Sequence, residues 1–235
     1  MSTAYTIGLD LGQANDFSAL AVLEHVDLVP PGAWVRNHEP ANPVLVGAWG
    51  HDAARTSGPD VQPTRELRVV HLQRWPLGTP YHVIVGEVGN LVRTEELYGS
   101  RMYFDRSGVG RPVGDMLWEC YARGEFGDSM PVGQTITGGE KSGNGTVTKR
   151  DLISGLEIAV QQGRLKIPTG LALVDVLERE LTSFKMHLSA KNGREKYDIE
   201  RRTGEGHGDI VIAVALAAMH PDFDVVPRWD TAPHA

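Results

Sequence analysis

The sequence predicts an α/β protein built on one mixed sheet, an antiparallel meander followed by parallel strands, with helices on both faces. Three observations carry this. The first apolar segments, residues 5–11, 17–26 and 67–72, follow one another with no helical period between them. From residue 80 onward, short β-like runs alternate with segments of helical apolar spacing. The last such segment, 207–219, is apolar nearly all round, as a buried helix is.

The elements follow in order. Residues 5–11 and 17–26 read as a β-hairpin, with Asp10 set inside the first strand. Residues 29–64 change character, because they hold six of the 14 prolines, at positions 30, 31, 40, 43, 59 and 63. They read as a surface excursion with one extra strand near 43–50. Residues 67–72 give a third strand. Over 80–97, Val83, Val88, Leu91 and Val92 fall at helical spacing, with Pro80 suited to the first turn. Residues 101–105, RMYFD, form a short strand ending in an acid, and SGVG leads into a helix over 113–122. A strand over 131–137 is followed by the flexible tip GGEKSGNG, where Asn144-Gly145 signals a hairpin turn. Then come a helix over 149–162, a short strand over 164–167, an amphipathic helix over 171–188 and an edge strand over 196–200.

Composition bounds the function. The chain has 235 residues, 41% hydrophobic and 23% charged, which is globular and enough for a sizeable core. No linker with a core on both sides interrupts it, so residues 1–235 read as one domain. No apolar run nears the ~20 residues of a membrane helix. The opening MSTAYTIGLDLG lacks the layout of a secretory signal, so cytoplasmic residence is expected. A lone cysteine, Cys120, excludes an internal disulfide and a cysteine-built zinc site. The net charge of −7 argues against a protein that holds DNA by bulk positive charge.

Three aspartates stand where acids are costly. Asp10 lies in TIGLDLG, Asp105 ends MYFD, and Asp209 opens IVIAVALAAM. A buried carboxylate costs several kcal/mol unless it is paired or binds metal. Each has a local alternative: Asp10 bonding the next turn, Asp105 starting an Asx turn, Asp209 capping its helix. If the three converge, they repel, and a hard divalent cation such as magnesium or manganese relieves the repulsion.

In order and spacing, these blocks resemble the nuclease domain of the large terminase subunit of tailed bacteriophages, a ribonuclease H-like fold. GLDLGQANDFSALAVLE looks like the family's first block, and HLQRWPLGTPY with MYFDRSGVGRPVGDML looks like its middle block. TKRDLISGLEIAVQQGRLKIP looks like its K-x-x-L helix and following strand, and GHGDIVIAVALA like its final H-x-D block. The resemblance implies metal-dependent cleavage of double-stranded DNA with little sequence specificity, leaving 5′-phosphate and 3′-hydroxyl ends. It implies Asp10, Asp105 and Asp209 as catalytic ligands of two Mg2+ or Mn2+ ions ~3.5–4 Å apart, with Asp10 bridging. It also implies a terminase ATPase, a small subunit and a portal as partners, in the bacterial host cytoplasm.

Two features depart from the family pattern. Members often carry two adjacent acids in the last block, where this chain has Gly208-Asp209. Their packaging ATPase domain is not in the chain, and no G-x-x-x-x-G-K-[ST] loop occurs, so no ATP site is expected. Asp16 is open between orienting a water and making a turn, with the turn favoured. His207 is open between a supporting role at the phosphate and an exposed helix entry, and Glu205 is a weaker candidate for the fourth ligand. Arg106, Arg111, Lys141, Lys149, Arg150, Arg201 and Arg202 form a candidate phosphate-binding rim. A Holliday-junction resolvase of the same fold and a non-catalytic packaging component are the alternatives. A sugar-kinase or actin-like ATP-binding domain is suggested by GLDLG alone, and its adenosine motif is not evident.

Overall fold

The computed structural model describes residues 4–13, 16–28, 64–138, 145–188 and 208–219. The proline-rich excursion, most of the glycine-rich tip and the 196–200 segment lie outside the described residues, as do Lys141, Arg201, Arg202, Glu205 and His207.

Seven strands form one mixed sheet: β1 (Ala4–Asp10), β2 (Ala19–Leu28), β3 (Thr64–Arg74), β4 (Arg101–Asp105), β5 (Pro131–Thr137), β6 (Thr146–Thr148) and β7 (Leu165–Lys166). Their order is β6-β5-β4-β1-β2-β3-β7. The first three pair antiparallel as a meander, whereas β4 on β1, β5 on β4, β6 on β5 and β7 on β3 pair parallel. Strand β3 extends past both ends of its apolar run. Val70 has no partner in the β2–β3 register, which shifts there, so alternation resumes one residue later at Leu72.

Five helices cover the two faces: α1 (Tyr81–Val92), α2 (Gly110–Ala122), α3 (Lys149–Gln161), α4 (Val174–Leu188) and α5 (Asp209–Ala217). Ile7, Leu9, Met102 and Phe104 pack with α1 and α2 in one core. Ala19, Ala21, Leu23 and Tyr103 pack with α3, α4 and α5 in the other.

Two expectations need correction. The helix expected over 80–97 ends at Val92, and a separate 3-10 turn spans Glu95–Leu97. Its buried stripe is Ile84, Val85, Val88 and Val92, while Val83 is exposed. The second correction concerns the hairpin signal at Asn144-Gly145. Thr135 to Thr137 run parallel to Thr146 to Thr148, so these strands are not the two arms of a hairpin. Elsewhere the bounds differ by a few residues for local reasons. Leu173 takes φ 64° just before α4, and Gly208 takes φ 84° just before α5.

Candidate functional site

The site is set by alternation along β1. Ile7 and Leu9 face the α1–α2 core, so Thr6, Gly8 and Asp10 face α5. That second set is small or polar, and it lets α5 lie directly on the strand. A Cβ on Gly8 would stand 1.9 Å from the carbonyl oxygen of Ala213, so only glycine permits this approach. Thr6 Oγ1 donates to the carbonyl of Ala217, tying down the C-terminal end of α5. It accepts in turn from His25 Nε2 at 2.6 Å.

The same register aligns the acids. Leu9 pairs with Phe104 across the parallel β1–β4 ladder, so Asp10 and Asp105 come next, side by side, at the carboxyl ends of adjacent strands. Asp10 also pairs with Ala19, Ala19 with Arg74, and Asp105 with Gln134. One row on the α5 face therefore reads Gln134, Asp105, Asp10, Ala19, Arg74. Asp209, 4% exposed, is the first residue of α5, the helix packed on β1, and its charge acts on Asp10.

Electrostatics follow from that placement. Burial, then the like charges of Asp209 and Asp105, holds the Asp10 carboxyl well above its ordinary pKa. Lys149, the first residue of α3, pulls in the opposite direction. Glu180 of α4 adds to the rise. Asp105 Oδ1 also accepts the N–H of Ser107 at 2.8 Å, so the Asx turn and the strand-end position coexist. Among the described residues, no three Asp, Glu, His or Cys side chains form a ready-made metal cage. The donor chemistry nevertheless fits a hard divalent cation, because every acid here is a carboxylate and each raises the cost of charging Asp10.

The other sequence candidates divide. Lys149 is half-buried, and its charge acts on Asp10. Arg106, Arg111 and Arg150 are exposed. Asp16 lies in the β1–β2 connection, where its N–H donates to Gln13 at 2.8 Å.

Two residues escaped the sequence reading. Glu180 is 8% exposed, and its Oε2 accepts the N–H of Val211 at 3.0 Å. Gly208, at the N-terminal boundary of α5, has no side chain to cap the helix, so a neighbouring helix supplies the acceptor. The signal was present: Val174, Leu177 and Glu180 recur every three residues on the buried stripe of α4. Arg74 stacks 4.4 Å over the ring of Phe17 and lowers the pKa of Glu180 by its charge. In the sequence it lies within HLQRWPLGTPY, two residues beyond the strand expected over 67–72.

These features define a ribonuclease H-like α/β architecture with a cluster of carboxylates at the strand ends. The chain has the fold of the nuclease domain of phage large terminases. Its structure matches the large terminase nuclease of thermophilic phage G20c with a TM-score of 0.52 and 20% identity, covering 92% of this chain and 81% of that one. Weaker matches are the large terminase nuclease domain of bacteriophage SPP1, solved with bound Mn, and the large terminase of bacteriophage HK97. The former has a TM-score of 0.48 and 14% identity, over 91% of this chain and 84% of that one. The latter has a TM-score of 0.47 and 14% identity, over 93% and 39%. Neither a family model nor a curated protein matches the sequence.

Proposed function

We propose that this chain is a metal-dependent DNA endonuclease serving a phage packaging terminase. The observation that carries it is the register that sets Asp10 beside Asp105 at two parallel strand ends, beneath Asp209 of α5. The shared fold with the G20c nuclease supports it.

Asp10, Asp105 and Asp209 would hold the divalent ions, Mg2+ or Mn2+. When bound, such ions supply acidification of the attacking water and charge stabilisation at the leaving oxygen of a phosphodiester. The protein's own groups do the rest. Lys149 favours the carboxylate form of Asp10 and offers a cation for a phosphate oxygen. Thr6 and Gly8 hold α5 against β1, which fixes the depth of Asp209 over the row. Arg106, Arg111 and Arg150 are exposed cations suited to backbone phosphates of double-stranded DNA, a sequence-independent grip. The working partners would be the packaging ATPase, the small subunit and the portal, in the host cytoplasm.

Nicking and linearisation of supercoiled plasmid tests this directly. The expected result is cutting with Mn2+ or Mg2+, none in chelator, and a loss of at least about a thousandfold in Asp10→Asn, equivalent to ~4 kcal/mol of transition-state stabilisation. Equal cutting by wild type and Asp10→Asn would overturn the assignment. Preferential cutting of four-way junctions would favour a resolvase.

A further inference from the structure

The last acidic block has one acid where two are expected, and the backbone explains why. Gly208 sits in the left-handed region at φ 84°, where a side chain is strained. Glycine adopts that turn without the strain that any side chain, aspartate included, brings to it.

A carboxylate reaches the same place from another helix. Glu180 is more than nine-tenths buried, and α4 delivers it to the first turn of α5. Its two oxygens differ. Oε2 takes the Val211 N–H, and the Ile210 N–H also acts on the carboxylate, whereas Oε1 is buried with no hydrogen-bond partner among the described residues. A buried carboxylate oxygen without a donor is costly, so such an atom calls for an explanation. The acids that Glu180 acts on are those of the site: Asp209 is the acid that most opposes its ionisation, and its own charge acts on Asp10. Arg74 is the cation on its other side.

We propose that Glu180 is the fourth carboxylate of the metal centre, with Oε2 capping α5 and Oε1 serving as a ligand beside Asp209. This rests on the metal-dependent reading above and supplies a second acid where Gly208 has none. It also joins two tasks in one side chain, because the cap that orients Asp209 and the ligand next to it move together.

Calorimetric titration with Mn2+ tests it on four proteins: wild type, Glu180→Gln, Asp10→Asn and Glu178→Gln. The amide oxygen of Glu180→Gln still accepts the Val211 N–H, so the cap survives while the charge is lost. Glu178 is exposed on the same helix and serves as the control. The expected result is at least a tenfold loss of Mn2+ affinity, or loss of one equivalent, in Glu180→Gln. Its melting temperature in chelator should equal or exceed that of wild type, and Glu178→Gln should bind as wild type does. Wild-type affinity in Glu180→Gln together with lost binding in Asp10→Asn overturns this inference alone and leaves Glu180 as a cap. Absence of Mn2+ binding by wild type overturns the metal-dependent reading, and this inference with it. If Glu180→Gln does not fold, a Mn2+-soaked crystal of wild type decides. Oε1 at about 2.0–2.3 Å from an ion supports the ligand, and a separation beyond about 4 Å overturns it.

Discussion

The two faces of the sheet are built for different ends, and β1 contributes to both. Toward α1 and α2 it presents Ile7 and Leu9, which pack with Phe104, Leu117 and Phe126, all essentially fully buried. Toward α5 it presents Thr6, Gly8 and Asp10. The first face gains stability from large apolar side chains. The second gives up side-chain volume so that a helix touches the strand, and it gathers carboxylates that destabilise one another. Both faces carry an apolar core, and on the α5 face the β1 row adds mutually repelling carboxylates, a candidate site whose strain a cation would relieve.

That contrast can be broken from either side. Phe104→Ala removes a large ring from the apolar face, at a cost of about 3–5 kcal/mol. Denaturant unfolding should register the full loss, while Mn2+ affinity of the remaining folded protein stays within a few-fold of wild type. A comparable fall in metal affinity would mean that the two faces are not separable.

The acid-bearing face should also reveal itself through pH. In the metal-free protein, burial raises Glu180 from 4.5 to about 7, opposed by the Val211 N–H and by Arg74, with Asp209 adding to the rise. Between those values the folded protein keeps a proton that the unfolded chain has shed. Stability therefore falls as pH rises from about 4.5 to about 7, by at most about 3 kcal/mol from this group. Asp10, also raised, acts in the same direction. Glu180→Gln should flatten that slope in chelator. A metal-free protein whose stability instead climbs over this range would contradict the burial of these acids.

Gly8→Ala is the smallest chemical change, a single methyl group set against the backbone of α5. Overpacking costs at least about 1–3 kcal/mol, and here the methyl group meets helix backbone rather than a side chain that can turn aside. Because the methyl would lift α5 and Asp209 with it, cleavage should fall by a larger factor than stability alone explains. Ala21→Gly, on the same face of β2, is the comparison that lowers stability without moving α5. Equal activity in Gly8→Ala and wild type would show that the close approach is irrelevant to the site.

Much of the fold was legible because burial repeats with a simple period. The meander, the alternation of strands and helices, and the fully apolar α5 all follow from such repeats. Asp10, Asp105 and Asp209 stood out because each lies inside or at the end of an apolar segment. What escaped had tertiary causes. The β5–β6 pairing is parallel although its connecting segment carries a strong local turn signal, and a local signal does not set strand direction. The unpaired Val70 hides the length of β3 by shifting its alternation. Glu180 reads in sequence as an ordinary acid of an amphipathic helix; its spacing from Val174 and Leu177 puts it on the buried stripe, but only the packing of α4 on α5 shows what it meets there.

Crystals of the wild-type protein soaked in Mn2+ and measured at the manganese absorption edge test the central claim most directly. The expected result is anomalous density among the carboxylates of Asp10, Asp105 and Asp209, at the strand ends beneath α5. Manganese bound elsewhere, with those three carboxylates bare, would contradict it.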